Sequence, residues 1–129
     1  MKRVLKTRRF SRWMRKTLLK DAMLLNAVAE MEAGLVDADL GGGVFKKRVA
    51  LPRRGKSGSV RTLIATNKGS RWIFLYGFEK NERDNITKAE LKALQNVADD
   101  FLNLAESILE EVIAGGHLAE VTDEQQDIG

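Results

Sequence analysis

Apolar residues recur at two different periods along this chain, and the change of period divides it. Phe10, Trp13, Met14, Thr17 and Leu18 fall at i, i+3, i+4, i+7 and i+8, the spacing of one helix face. Leu24, Val28, Met31 and Leu35 step by 4, 3 and 4, which predicts a second helix with Asp21 as its cap and Gly34 as its end. Residues 1–5 (MKRVL) are assigned to a short first strand. From residue 44 the period becomes two, in runs at 44–51, 60–66 and 72–78. Gly41-Gly42-Gly43 leads into them as a connector, since it lacks phosphate-loop spacing and a strand follows it. Asn67-Lys68-Gly69-Ser70 is a hairpin signal between the second and third runs. These features predict a three-stranded meander.

Alternation assigns the faces. Lys46, Arg48 and Ala50 share one face of the first run, and Phe45, Lys47, Val49 and Leu51 the other. Lys47 on the apolar side calls for a bulge or for snorkelling. In the second run Arg61, Leu63 and Ala65 oppose Val60, Thr62, Ile64 and Thr66. The third places Trp72, Phe74, Tyr76 and Phe78 on one side and Ile73 and Leu75 on the other, which marks a central strand covered on both faces. A long helix then begins at Asn85 or Thr87, with Glu90 completing a capping box from Thr87. Its seam is Leu91, Leu94, Ala98, Phe101, Ala105, Ile108 and Val112, and Gly115-Gly116 ends it. Residues 117–121 (HLAEV) suit a short edge strand. Trp13, Leu24, Val28, Phe74 and Tyr76 are expected in the core.

The expected fold is therefore α+β. A small antiparallel sheet, the three-stranded meander plus an N-terminal strand, carries two N-terminal helices on one face and a long C-terminal helix. One domain over residues 1–121 and a polar tail over 122–129 account for all 129 residues.

Charge changes the picture more than composition does. Residues 1–72 hold 18 Lys and Arg against 5 Asp and Glu, whereas residues 73–129 hold 4 against 13. Residues 44–78 hold nine Lys or Arg and no carboxylate. A sheet with that much uncompensated positive charge points to a polyanionic partner. With no cysteine there is neither a disulfide nor a thiolate metal site, and a reducing cytoplasm is the expected compartment. No apolar run approaches the roughly 18 residues of a membrane span, and no signal-type segment follows the basic start. Read from the residues alone, this is a basic nucleic-acid-binding module.

Two elements narrow the reading: G-K-S-G-x-x-R-T from Gly55 to Thr62, and F-x-K-N-E-R-x-N-I from Phe78 to Ile86. With the strands around them they resemble the RelE/HigB branch of the RelE/ParE toxin superfamily, well over residues 44–95 and by architecture over the first 40. The resemblance implies a type II toxin that cleaves mRNA in the ribosomal decoding site, without cofactor or metal. It implies as partners mRNA, the ribosome and a cognate antitoxin, expected to carry a helix-turn-helix and to be encoded by an adjacent gene. Carried over by position, the family's catalytic basic residues fall on Lys46, Arg48 and Arg61, with Lys56 in the intervening loop as a further candidate. Lys47, Arg53, Arg54, Arg71, Lys80, Asn81 and Arg83 are the expected RNA contacts. Two positions depart from the family pattern. Its loop arginine aligns with Asn81, and its C-terminal tyrosine aligns near Thr87.

RNA cleavage through the 2′-hydroxyl needs that hydroxyl deprotonated, the phosphorane charge stabilised and the 5′-oxygen protonated. The single histidine, His117, is remote from the basic strands, and those strands hold no carboxylates to bind a metal. Electrostatic stabilisation by Arg48, Arg61 and Lys46 remains, with Lys56 as a lysine whose charged neighbours could tune it for proton transfer. Each residue has a structural alternative. Arg61 on a central strand could be a buried ion-pair partner, and Lys46 and Arg48 could protect a sheet edge. Tyr76 has the parity of core aromatics, and Glu82 could pair with Lys80 or Arg83. Two other functions stand beside the nuclease: a ParE-type toxin acting on DNA gyrase by protein contact, and a nucleic-acid-binding protein without catalysis.

Overall fold

The computed structural model describes residues 2–51 and 58–123. Six strands form one sheet: β1 (Arg3–Thr7), β2 (Ala38–Asp39), β3 (Val44–Ala50), β4 (Ser59–Thr66), β5 (Arg71–Glu79) and β6 (Leu118–Glu120). Their order is β2-β3-β4-β5-β1-β6, antiparallel throughout except that β1 runs parallel to β5. Four helices are present among the described residues: α1 (Arg8–Met14), α2 (Asp21–Glu32), α3 (Lys88–Leu102) and α4 (Glu106–Ala114). The meander, the first strand and the edge strand near residue 118 stand where periodicity placed them. The sheet is larger than expected, and its β1–β5 junction makes it mixed rather than antiparallel.

Helices cover both faces. Phe10 of α1 and Leu24, Val28 and Met31 of α2 pack on Phe45, Ile64, Trp72 and Phe74. On the opposite face Ala98 of α3 and Leu109 of α4 pack on Leu5, Leu63, Ala65, Ile73 and Leu75. This is why β5 is apolar on both sides: it lies between β4 and β1, under both layers. Lys47 does snorkel, reaching the Glu30 carboxylate at 2.8 Å while only 7% exposed.

The differences from expectation have local causes. Thr7 caps α1, its Oγ1 accepting from the Phe10 N–H, and the helix stops at Met14 as Thr17 turns the chain. Leu18 is therefore exposed and Leu19 takes the buried place. Lys20, not Asp21, is the N-cap of α2, and the Asp21 carboxylate instead accepts from Lys6 Nζ at 2.7 Å and from the Thr122 N–H. Gly34 does end the second helix, at φ +97°, and swings Leu35 into solvent. The long C-terminal helix is two helices. Asn103 Nδ2 donates to the Asp99 carbonyl at 2.8 Å, the chain leaves the helix, and α4 restarts out of phase, exposing Ile108 and burying Leu109. The capping box formed by Thr87 and Glu90 is complete.

The correction that matters most lies in β5. Leu63 pairs with Tyr76 but Ile64 pairs with Phe74, so Leu75 has no opposite number and the register slips by one. Trp72 and Phe74 face α1 and α2, while Tyr76 and Phe78 turn to the other side. The four aromatics do not share a face. Leu24, Val28 and Phe74 are fully buried as expected, whereas Trp13 and Tyr76 are only half-buried.

Candidate nucleic-acid interface

The bulge assembles a surface. On the α3 side of the sheet Arg48 lies opposite Arg61, and Arg61 opposite Phe78. In the next row Lys46 lies opposite Leu63, and Leu63 opposite Tyr76. Side chains so opposed have Cβ atoms about 5 Å apart. The Arg48 guanidinium is exposed, with Nε 3.4 Å from Asp37 Oδ1, and the other oxygen of Asp37 takes the Arg48 backbone N–H at 2.6 Å. Arg61 is half-buried, and among the described residues it has no hydrogen-bond or ion-pair partner; the same holds for Lys46.

Beyond Thr7 the first strand leaves β5 and α1 packs in its place. A pocket of about 290 Å³ opens there, lined by Arg9, Phe10 and Trp13 from α1 and by Tyr76, Gly77, Phe78, Glu82 and Arg83. The Arg9 guanidinium sits 4.8 Å over the Tyr76 ring, and that of Arg83 lies 5.9 Å from the Phe78 ring. Arg83 also donates to the Tyr76 hydroxyl at 3.4 Å and grips the Glu90 carboxylate twice, at 2.9 and 2.6 Å. Hydrogen bonding from Arg83, then from the Thr87 N–H, lowers Glu90 from 4.5 to about 2. One carboxylate thus caps α3 and fixes the arginine beside the pocket.

Arg83 is the expected RNA contact that joins this surface, next to the row of Arg48, Arg61 and Phe78. Lys80 and Asn81 follow β5 in an exposed turn. Lys47 and Arg71 lie elsewhere, each with partners. Lys47 is on the α2 side with Glu30, and Arg71 is buried at the far end of β5, donating to the Phe101 carbonyl at 2.7 Å and to Glu106 at 3.1 Å. Arg53, Arg54 and Lys56 lie outside the described residues. Thr87 is occupied as a helix cap, and His117 is exposed between α4 and β6.

Sequence reasoning missed Arg9, Tyr76, Phe78 and Glu90. The available signal was Gly77, a glycine inside an otherwise apolar strand, which marks a bulge or a close approach. Here the bulge lies two residues away and the close approach is to Trp13. Among the described residues no three His, Asp or Glu side chains come together to hold a metal ion. What the surface offers chemically is fixed positive charge, aromatic faces and one phenol.

Residues 2–121 match the family described as the RelE toxin of the RelE/RelB toxin–antitoxin system. The chain belongs to that family. It is the toxin of a toxin–antitoxin pair, and an antitoxin is its partner. The match takes in the N-terminal helices as well as the basic meander. No curated protein matches the chain. Among the described residues no helix is long and apolar enough to cross a membrane.

Proposed function

We propose that this RelE-family toxin is an endoribonuclease that cleaves mRNA on the ribosome. The observation that carries the reading is the Arg48–Arg61 pair, two cations directly opposed on one face, one of them without a described counter-ion. Such an arrangement is repulsive by itself and favourable around an anion, and a scissile phosphate is an anion of fitting size. In this scheme the 2′-oxygen attacks phosphorus, the bond to the 5′-oxygen breaks, and the products are a 2′,3′-cyclic phosphate and a 5′-hydroxyl. Arg61 and Arg48 hold the non-bridging oxygens as charge grows on them, with Lys46 one row away. The Tyr76 hydroxyl accepts from Arg83 and so keeps its own proton to give to the departing 5′-oxygen. Lys56 is the candidate for proton transfer that the glycine-rich element supplies. No metal takes part, and the ribosome adds the orientation that a small cationic surface lacks.

Neutralisation follows if the antitoxin covers this face, a docking that charge steering would make fast and sensitive to salt. Primer extension on mRNA after induction tests the reading: new 5′ ends are expected with the parent toxin. Growth arrest without new ends, joined to loss of DNA supercoiling activity, would replace it with action on gyrase.

A further inference from the structure

We infer that the pocket between α1 and the free edge of β5 is a guanine-binding subsite of this RNA surface, an inference that rests on the proposed nuclease reading. The pocket has three kinds of recognition group. Trp13, Tyr76 and Phe78 supply ring faces, on which unstacked RNA bases pack. Gly77 supplies main-chain groups. Glu79, two residues on, turns both its N–H and its C=O away from β4: the N–H donates to Glu82 and the C=O accepts from the Glu82 and Arg83 N–H groups. Alternation along the strand gives Gly77 the same outward direction, and no turn or side-chain hydrogen bond reaches either of its groups.

The third kind selects the base. Arg9 stands over Tyr76 with no hydrogen-bond or ion-pair partner among the described residues, so its donors are open. Glu82 uses Oε1 on the Glu79 N–H at 2.8 Å, and Oε2 is open. Arg83 is already committed to Glu90 and Tyr76. A paired donor beside a carboxylate matches guanine, which presents two acceptors at N7 and O6 and two donors at N1–H and N2–H₂. Adenine, cytosine and uracil each lack one of those edges. The pocket adjoins the Arg61–Phe78 row, so a base seated in it belongs to the same strand as the phosphate held by Arg48 and Arg61.

The test uses the whole protein and free mononucleotides, so that it does not depend on catalysis. Trp13 fluorescence is titrated with 3′-GMP, 3′-AMP, 3′-CMP and 3′-UMP for the parent, Glu82→Gln and Arg9→Ala, each checked by thermal melting. The parent is expected to bind 3′-GMP about tenfold or more tighter than the other three, the order of discrimination a bidentate contact gives. Either substitution is expected to erase most of that preference. Equal affinity for all four nucleotides in the parent overturns the subsite, as does a preference that survives both substitutions. Cleavage of mRNA with no guanine bias at the cut sites would also remove the subsite while leaving the nuclease. Tight 3′-GMP binding by a protein that cleaves no mRNA would keep the subsite and remove the nuclease.

Discussion

The ring of Trp13 lies against the backbone of Gly77, so closely that any Cβ at that position would collide with three of its ring carbons. That contact seats α1 on the strand edge that β1 has left, and it shapes one wall of the pocket. Trp13 cannot retreat easily, because its ring also packs against Phe10 at 5.4 Å, and Phe10 is wholly buried. Gly77→Ala should therefore destabilise the fold by about 1–3 kcal/mol, the usual range for overpacking. Urea unfolding followed by tryptophan fluorescence measures this. An unchanged midpoint would mean that α1 shifts freely and that its packing here is loose.

Arg71 separates structural from functional arginines. Its guanidinium satisfies the Phe101 carbonyl near the end of α3 and meets Glu106 at the start of α4, so it joins both helices to the sheet. Arg71→Ala leaves a buried carbonyl unpaired, a loss of about 1–3 kcal/mol. Melting temperature should fall while the salt dependence of RNA binding stays that of the parent. A shallower salt slope with unchanged melting would return Arg71 to the RNA-contacting set.

Much of this was legible from period and caps alone. The meander, the two faces of β3, the capping box at Thr87 and the glycine that ends α2 all follow from local rules, and local rules decided them. The bulge at Leu75 did not follow, because Trp72-Ile73-Phe74-Leu75-Tyr76 is apolar at every position and alternation carries no phase there. That one slip moved Tyr76 and Phe78 out of the expected core and onto the cationic surface. The break at Asn103 was hidden for a similar reason, since Leu102, Leu104 and Ala105 fit a helix in several phases. Arg71 was read as surface charge because its partners, Phe101 and Glu106, lie about thirty residues away in sequence.

Glu90 gives the fold an acid-sensitive joint. Its carboxyl lies at about 2 in the folded protein against an ordinary value of 4.5, held down by Arg83 and the Thr87 N–H. As pH falls, the unfolded chain takes up this proton first. The stabilisation is thus whole above about 4.5 and is lost as pH approaches about 2. Glu90→Gln should flatten that part of the stability profile, seen as a smaller gap between melting temperatures measured at the two ends of the window. A gap equal to the parent's would show that other carboxylates, such as Glu106, which Arg71 also holds below its ordinary range, carry the acid response.

The opposed pair on β3 and β4 makes a prediction in which stability and activity move apart. Arg48 has Asp37 to offset part of its charge, whereas Arg61 faces it with no described carboxylate of its own. Like charges directly opposite destabilise a sheet by a few tenths of a kcal/mol to about 1 kcal/mol. Arg61→Ala relieves that repulsion, so its melting temperature should equal or slightly exceed the parent's. Its mRNA cleavage should be lost, because the second grip on the phosphate is gone. Arg61→Lys keeps the charge and loses the planar fork, so it should melt like the parent and cleave only in part. In an Arg48→Ala background the stabilising effect of Arg61→Ala should vanish, since the repulsion needs both partners. Full cleavage by Arg61→Ala would remove the residue from the active surface, and a large fall in melting temperature would make it a structural arginine like Arg71.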